Sequence, residues 1–319
     1  MIDPMHVSRI LVISLTNIGD AIMTMPVLGV LRAQFEKARI DLVVGPAPFE
    51  LFRGSPDLAH CFAYDKKWSW SKQWQWVQKL AKEKYDLVVD LRHTLIPILV
   101  GARYRTKLIR LKRSGTVSVR DRHLELLKEI GIDVSQKKSI RLSGGEARRF
   151  PGPYCVIAPG ANSSTKRWTV EGFERVIRYL SDEAKLKVVL AGNESWPGKL
   201  GGDVVDLTGR TTLAELVGLV SHARLVVAND SAVMQLAGEL DVPCVAIFGP
   251  TNPWKYAPKE AKVVRRELDC SPCEAAQCRL ERRICLDDLP AEQVIGVVKE
   301  IKNESPLLRG VSARGGRGV

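Results

Sequence analysis

Short runs of apolar residues alternate along the chain with segments in which apolar residues recur at helical spacing. Continuous apolar runs are typical of strands buried on both faces of a parallel sheet. The predicted strands are residues 10–15, 40–44, 61–64, 86–91, 107–111, 154–158, 187–190, 225–228 and 243–248. The predicted helices are residues 21–31, 48–53, 95–100, 121–130, 233–240 and 290–301, with two more that begin at residues 170 and 213. Regular alternation of strand and helix predicts an α/β protein.

The pattern is interrupted once, over residues 133–153, where Ser, Gly, Lys, Arg and Pro accumulate without periodicity. Such composition is typical of a linker. We therefore predict two doubly wound, Rossmann-like domains, residues 1–145 and 146–305, which face each other across a central cleft. The basic, Gly-rich residues 306–319 predict a disordered tail.

Composition narrows the class of protein. The chain is 45% hydrophobic and 26% charged, as in ordinary globular domains. No apolar run approaches the ~18 to 20 residues that cross a bilayer, and the first residues lack the pattern of a signal peptide. We expect a cytoplasmic protein.

Charge points to anionic partners. Lys and Arg number 48 against 36 Asp and Glu, which gives a net charge of +12, and segment 103–113 holds six basic residues and no acidic one. Such a segment favours nucleic acid, acidic lipid head groups or phosphorylated small molecules, or else serves as a solubilising face. No zinc-finger, RNA-recognition or helix-turn-helix signature accompanies it, so we do not expect nucleic acid.

Polar residues follow several strands, at the sheet edge where ligands of doubly wound proteins bind. Asp20 follows the first strand, and Asp230 begins the helix after residues 225–228, where it could serve as a ligand group or only as an N-cap. Residues 159–168 combine small hydroxylated residues with Lys166, which suits phosphate oxygens or a generic polar loop. Glu194 follows the next strand and could accept hydrogen bonds from ribose hydroxyls. Neither a dinucleotide fingerprint nor a P-loop is present.

Two clusters of special residues leave alternatives open. Four tryptophans crowd one segment without forming a single helical stripe, so some are expected to be exposed, either to stack on a sugar or lie at an acyl boundary, or simply to pack. They are Trp68, Trp70, Trp74 and Trp76. Four thiols in C-x2-C-x4-C-x6-C spacing could hold a structural zinc ion, remain unligated or take part in redox chemistry. They are Cys270, Cys273, Cys278 and Cys285.

Three motifs carry a resemblance to a known family. The stretches NIGDAIMTMP, PGANSSTKRW and NDSAVMQLAGELDVPCVAIFGPTNP, in this order, resemble glycosyltransferase family 9, the ADP-heptose:lipopolysaccharide heptosyltransferases. The resemblance extends from about residue 9 to residue 301. It implies a GT-B fold, with the acceptor on the N-terminal domain and the nucleotide sugar on the C-terminal one. It further implies transfer of heptose from ADP-heptose to the Kdo/heptose inner core of lipopolysaccharide, with inversion and without a required cofactor.

The resemblance also assigns roles to residues. Asp20 matches the catalytic general base, Lys166 the lysine that faces the diphosphate, and Glu194 the acid that binds ribose. The remaining donor-binding positions are Ser163, Ser164, Thr165, Asp230, Ser231, Ala232 and Gln235. The acceptor-binding positions are Asn17, Gly19 and Arg92.

Two positions depart from the family pattern. Gln235 stands where histidine is common, and Ala232 stands where glycine is usual. Glutamine donates a hydrogen bond but cannot titrate, and alanine adds a methyl group where the backbone meets the ligand. An alternative is therefore a GT-B transferase with another nucleotide sugar and another cell-surface glycan, and a third hypothesis is a non-catalytic nucleotide-sugar-binding protein. The basic segment fits a Kdo-lipid acceptor and peripheral attachment to the inner face of the inner membrane.

Overall fold

The computed structural model describes residues 2, 4–108, 117–144 and 150–304. The chain forms two units, Met1–Gly144 and Gly145–Val319, each with its own sheet. Both sheets are wholly parallel in their described pairings. The predicted α/β class is confirmed.

The first unit contains a five-stranded sheet of order β3-β2-β1-β4-β5. Its strands are β1 (Arg9–Ile13), β2 (Arg39–Val44), β3 (His60–Ala63), β4 (Leu87–Asp90) and β5 (Tyr104–Arg105). Its helices are α1 (Ile18–Ile22), α2 (Met25–Gln34), α3 (Phe49–Phe52), α4 (Trp70–Lys82), α5 (Ile96–Leu99) and α6 (Val119–Glu129), with a 3-10 turn at Pro4–His6. The apolar residues of the central strand β1 are fully buried, because helices cover both faces of the sheet.

The second unit contains a six-stranded sheet of order β11-β10-β9-β6-β7-β8. Its strands are β6 (Tyr154–Ala158), β7 (Lys187–Leu190), β8 (Val204–Asp206), β9 (Leu225–Asn229), β10 (Cys244–Ile247) and β11 (Lys262–Val264). Its helices are α7 (Val170–Arg178), α8 (Leu213–Ser221), α9 (Ala232–Glu239), α10 (Pro253–Tyr256), α11 (Ile284–Asp287) and α12 (Ala291–Glu304). A 3-10 turn spans Ser164–Lys166, and a π-helical turn, Tyr179–Glu183, extends α7.

Helix starts follow the side-chain chemistry that the sequence suggests. Thr169 accepts a hydrogen bond from the Gly172 N–H at 3.1 Å and caps α7. Thr212 and Glu215 form a reciprocal capping box at the start of α8. These caps fix where each helix leaves the loop before it.

The strand predicted at residues 107–111 was wrong in its described part. The edge strand lies earlier, at Tyr104–Arg105, and Lys107 and Leu108 are not in a strand. The ladder stops here because the Asp90 N–H donates to the Thr106 hydroxyl, at 2.9 Å, and is not available to the backbone carbonyl of an extended strand. Residues 109–111 lie outside the described residues, as does the tail 306–319.

The tryptophan segment divides as expected. Trp70 is 89% exposed and Trp74 is 51% exposed, whereas Trp68 and Trp76 pack against the core of the first unit. In the parts of the chain described here, every helix is too short or too polar to cross a membrane.

Candidate functional site

The candidate donor site lies where the order of strands in the second sheet changes direction. Strands β6 and β9 are neighbours, with Ala158 opposite Ala228. After β6 the chain adds strands toward one edge of the sheet, and after β9 it adds strands toward the other edge. The loops after the two strands therefore diverge and leave a crevice at their carboxyl ends, which is the usual ligand position in doubly wound sheets. The predicted donor-binding residues follow these two strands and β7.

The loop after β6 is built by short polar contacts. The Ser163 hydroxyl lies 2.8 Å from the Thr165 hydroxyl and accepts the Thr165 N–H at 3.3 Å, which starts the 3-10 turn Ser164–Lys166. Asn229, at the end of β9, donates to the Pro159 carbonyl at 2.6 Å and accepts the Trp168 N–H at 3.1 Å. One buried side chain thus fixes both ends of this loop.

Lys166 and Asp230 meet across the crevice. The Lys166 Nζ donates to Asp230 Oδ2 at 2.7 Å, and the Thr251 hydroxyl donates to the same oxygen at 2.8 Å. The Asp230 side chain is 7% exposed and the Lys166 side chain 31% exposed. Asp230 is not the N-cap of α9, since Ser231 holds that position, so the N-cap alternative for Asp230 is wrong.

The start of α9 offers further donors. Among the described residues, the Ser231 Oγ is buried without a hydrogen-bond partner. Ser231 makes no side-chain cap, and Ala232 is the first residue of α9. The unbonded N–H groups of a helix start carry partial positive charge and favour an anion.

Gln235 is committed to a neighbouring backbone group. Its side chain is buried, and Nε2 donates to the Tyr256 carbonyl at 2.8 Å. The Tyr256 ring lies 5.8 Å from Lys166 Nζ. Gln235 therefore supports the aromatic residue beside Lys166, a link that the sequence analysis missed because Gln235 and Tyr256 are 21 positions apart in the chain.

Glu194 is paired with Arg167, in the loop that follows β6. Arg167 Nη2 donates to Glu194 Oε1 at 2.7 Å, and Arg167 Nη1 lies 2.7 Å from Glu194 Oε2 in the same ion pair. The Glu194 carboxylate is half-exposed, and Arg167 also donates to the Ala161 carbonyl at 3.0 Å. A bidentate pair of this kind orients both groups, and the exposed carboxylate retains room for further donors.

In the first unit, the corresponding change of direction lies between β1 and β4, where Ile13 is opposite Asp90. Asp20 lies in the first turn of α1 and accepts from Asn17 Nδ2 at 2.9 Å. Gly19 lies inside α1 with ordinary helical backbone. Asn17 thus orients the candidate base at the carboxyl edge of the sheet.

Arg92 follows β4 at the same edge. Its guanidinium lies 5.2 Å from the Tyr64 ring. Asp90 is buried and accepts the backbone N–H groups of Arg92 and Thr94 at 2.8 and 2.6 Å, which shapes the turn. His93 adopts a left-handed φ of 57° there. Within the described ranges, Arg92 Nη1 and His93 Nε2 are buried without hydrogen-bond partners.

A cavity of ≈ 410 Å³ opens beside this turn. Its lining joins basic side chains to apolar ones. The lining residues are Asp90, His93, Thr94, Pro97, Ile98, Arg105, Thr106, Lys107 and Leu108. Sequence reasoning identified this segment as basic but did not connect it to His93, which has no special spacing signal.

The structure does not support a zinc site at the four-cysteine motif. All seven cysteines are free thiols, and no group of three or more His, Cys, Asp or Glu side chains in the described chain is placed to hold a metal ion. Cys278 Sγ donates to the Arg282 carbonyl at 3.7 Å, and Cys270 and Cys273 are exposed. Burial raises the pKa of the Cys285 thiol, and the neighbouring thiols add to the rise.

Known proteins match this chain along most of its length. The profile of "Glycosyltransferase family 9 (heptosyltransferase)" matches residues 119–284. Lipooligosaccharide heptosyltransferase 2 of Campylobacter jejuni is 27% identical, over 92% of this chain and 98% of that protein.

Solved structures agree with the sequence matches. A glycosyltransferase family 9 protein from Veillonella parvula superposes with a TM-score of 0.75 at 22% identity, covering 93% of this chain and 98% of that one. The E. coli ADP-heptose LPS heptosyltransferase II gives a TM-score of 0.72 at 20% identity, covering 93% and 100%. The predicted GT-B fold is thus confirmed. The chain belongs to glycosyltransferase family 9, the heptosyltransferase family, and is a glycosyltransferase.

Proposed function

We propose that this enzyme transfers heptose from ADP-heptose to the Kdo/heptose inner core of lipopolysaccharide, with inversion at the anomeric carbon. The observation that carries the proposal is the pair Lys166–Asp230, 2.7 Å apart at the crevice of a doubly wound unit, beside the helix start at Ser231. The relatives named above act on ADP-heptose, lipooligosaccharide or lipopolysaccharide by their names. Family membership and this geometry support the same reaction.

The second unit is proposed to bind the donor. Lys166, the hydroxyls of Ser163, Ser164 and Thr165, and the free N–H groups at the start of α9 suit the diphosphate, because they combine charge with convergent donors. Glu194 suits the ribose hydroxyls as an exposed acceptor. No metal is invoked, because Lys166 and the helix start supply positive charge where the leaving diphosphate develops its own.

The first unit is proposed to bind the acceptor and supply the base. Asp20 takes the proton of the acceptor hydroxyl as its oxygen bonds to the anomeric carbon. The bond from that carbon to the diphosphate breaks in the same displacement, and ADP leaves with the electron pair. Asn17, which donates to Asp20 Oδ2 at 2.9 Å, keeps one carboxylate oxygen occupied and directs the other toward substrate.

Basic and apolar groups beside the cavity suit an acidic lipid-linked acceptor. His93, Arg105 and Lys107 line it together with Pro97, Ile98 and Leu108. Positive side chains would pair with Kdo carboxylates or lipid phosphates, while the apolar ones would face the lipid. Exposed Leu95 and Leu99 adjoin this cavity through α5, so we further propose peripheral attachment to the cytoplasmic face of the inner membrane.

A second candidate is transfer of another nucleotide sugar to another cell-surface glycan. The observation that favours it is Gln235, whose Nε2 is bonded to the Tyr256 carbonyl at 2.8 Å. A neutral amide held in this way cannot supply the imidazolium charge that histidine could supply there. Altered contacts to the sugar would change donor choice before they changed the fold.

The proposal is tested by a donor screen. Purified protein is titrated calorimetrically with ADP-heptose, ADP-glucose, a UDP-sugar and a GDP-sugar, and the four dissociation constants are compared. We expect ADP-heptose to bind most tightly. Tighter binding of another sugar nucleotide would support the second candidate, and binding of none would contradict both.

A further inference from the structure

The motif that the proposed reaction leaves without a role is the cysteine-containing segment 270–288, which we name the strap. The strap contacts the loops on both sides of the donor crevice. Ser271 Oγ donates to the Gly249 carbonyl at 2.7 Å, and the Glu274 N–H donates to the Pro250 carbonyl at 2.8 Å. These bonds hold the loop that carries Thr251, the residue bonded to Asp230.

The other end of the strap reaches the loop of Lys166 through one side chain. Arg283 Nη1 donates to the Ser164 carbonyl, and the same nitrogen donates to the Arg167 carbonyl at 2.9 Å. These carbonyls flank Lys166 on both sides. The Ser164 carbonyl also accepts the Arg167 N–H at 3.2 Å, so the guanidinium adds a charged donor to the carbonyl that closes the turn.

Arg283 is itself held in place. Asp287 accepts from Arg283 Nη2 at 2.7 Å and from the Arg283 N–H at 2.8 Å. Leu286, between them in the strap, is fully buried against Gly249, where an added Cβ would lie 2.6 Å from Leu286 Cγ. The Arg283 guanidinium is therefore held by Asp287 in a segment that the buried Leu286 side chain anchors.

We propose that Arg283 is a positioning residue for the donor site: it holds the turn Ser164–Lys166 so that Lys166 Nζ faces Asp230 and the bound diphosphate. The inference rests on the proposed function, because it assigns the diphosphate to this turn. Arg283 does not touch the substrate in this account. It acts through the two carbonyls, and through them on the direction of Lys166.

The neighbouring Arg282 provides a matched control. Arg282 lies in the same strap and forms an ion pair with Asp288, but its guanidinium makes no described contact with residues 163–168. Arg282→Ala therefore removes an equal charge from the same segment without releasing the turn.

The first measurement is amide hydrogen exchange of the ligand-free protein, which does not depend on the identity of the donor. The Lys166 N–H bonds the Ser163 carbonyl at 3.1 Å, and the Arg167 N–H bonds the Ser164 carbonyl at 3.2 Å. In Arg283→Ala, exchange over residues 164–168 should accelerate by about tenfold, which corresponds to loss of a charge-assisted hydrogen bond. In Arg282→Ala it should match the wild-type protein.

The second measurement is the dissociation constant of ADP by calorimetry on the same proteins. We expect it to rise roughly tenfold in Arg283→Ala, to recover in part in Arg283→Lys, which keeps the charge and one donor, and to stay unchanged in Arg282→Ala. If Arg283→Ala does not fold, Asp287→Asn weakens the same contact and should shift both readouts in the same direction.

The inference is overturned if exchange over residues 164–168 is the same in Arg283→Ala and Arg282→Ala. Faster exchange together with an unchanged ADP dissociation constant overturns it as well, because Arg283 would then serve only local stability. Failure of the wild-type protein to bind ADP counts against the proposed donor, while the exchange experiment still decides whether Arg283 fixes the turn.

Discussion

Lys166 Nζ and Asp230 Oδ2 lie 2.7 Å apart although 64 residues separate them in the chain. They meet because β6 and β9, the strands that precede them, are neighbours in the sheet. The pair orients the Lys166 ammonium group, and Asp230 compensates part of its charge. In the proposed reaction, Lys166 is therefore already in place when the diphosphate binds. Preorganised charge of this kind lowers the cost of reorganisation during the reaction.

Lys166→Met should lower kcat/KM by about 10²- to 10³-fold, because it removes the cation that stabilises the negative charge developing on the leaving ADP. The measurement is initial-rate kinetics of ADP release. Lys262→Met is the control, since Lys262 pairs with Glu304 on the surface at 3.5 Å, and it should keep the wild-type rate. Equal rates for the two variants would contradict the role of Lys166.

The sequence allowed the residue types of this site to be predicted, but not their pairing. Apolar runs located the central strands, and the polar residues after them identified Lys166, Glu194 and Asp230. Which loops meet depends on strand order, and spacing along the chain does not encode that order. For this reason, the sequence left two possible roles open for Asp230, that of a ligand-binding group and that of an N-cap.

Features with weak periodicity were also missed. The edge strands β8 and β11 have three residues each, too few to show a pattern. Arg283 lies among other arginines of the strap, and nothing in its neighbours marks it. Conversely, the regular spacing of four cysteines suggested a zinc site that the structure does not support, since no group of three or more His, Cys, Asp or Glu side chains among the described residues is placed to hold a metal ion.

If the cavity of the first unit binds the acceptor, its basic residues should affect the KM for the acceptor and not the KM for the sugar nucleotide. Lys107→Gln should raise the KM for a Kdo-lipid acceptor roughly tenfold and leave the KM for the sugar nucleotide unchanged, since Lys107 lines the cavity of the unit that we propose binds the acceptor. Arg103→Gln is the matched control, because its guanidinium lies over the Tyr104 ring, 5.3 Å from the centroid, and does not line the cavity. A rise in both KM values, or the same rise in the control, would contradict the assignment.

Asp57 links acid pH to the stability of the first unit. Hydrogen bonds from the Arg141 side chain lower the pKa of the Asp57 carboxyl, and the shorter of them measures 2.8 Å. Because the pKa of Asp57 is lower in the folded protein than the value of about 3.9 in the unfolded chain, the ionised carboxylate stabilises the folded state above about pH 3.9. This stabilisation is lost as the pH falls through the pKa of the folded state. Asp57→Asn should therefore cost about 1 kcal/mol at pH 7 in urea unfolding.

The difference between Asp57→Asn and the wild-type protein should shrink toward zero near pH 2, when the wild-type carboxyl is protonated too. Glu50→Gln, in the exposed pair with Arg53, should stay within about 0.5 kcal/mol of wild type at pH 7. A cost for Asp57→Asn that does not change with pH would argue against the Arg141 interaction as its cause.

Thiol labelling checks the state of the cysteines. Cys270, Cys273 and Cys278 are exposed and should react quickly with a thiol reagent in the folded protein. Burial raises the pKa of Cys155 and of Cys244 to about 12, so these two should react only after unfolding. Added zinc should leave the labelling of the exposed thiols unchanged, and protection of all four strap cysteines by zinc would contradict the structure.

The central claim is heptosyl transfer with Asp20 as the base, and the most direct test combines turnover and binding in one pair of proteins. Wild-type protein and Asp20→Asn are given ADP-heptose and a Kdo-lipid acceptor, with ADP release and donor affinity measured in parallel. We expect acceptor-dependent release by the wild-type protein, and a rate about 10²- to 10⁴-fold lower in Asp20→Asn with unchanged donor affinity. Release by Asp20→Asn at the wild-type rate, or no heptose transfer by the wild-type protein, would contradict the account.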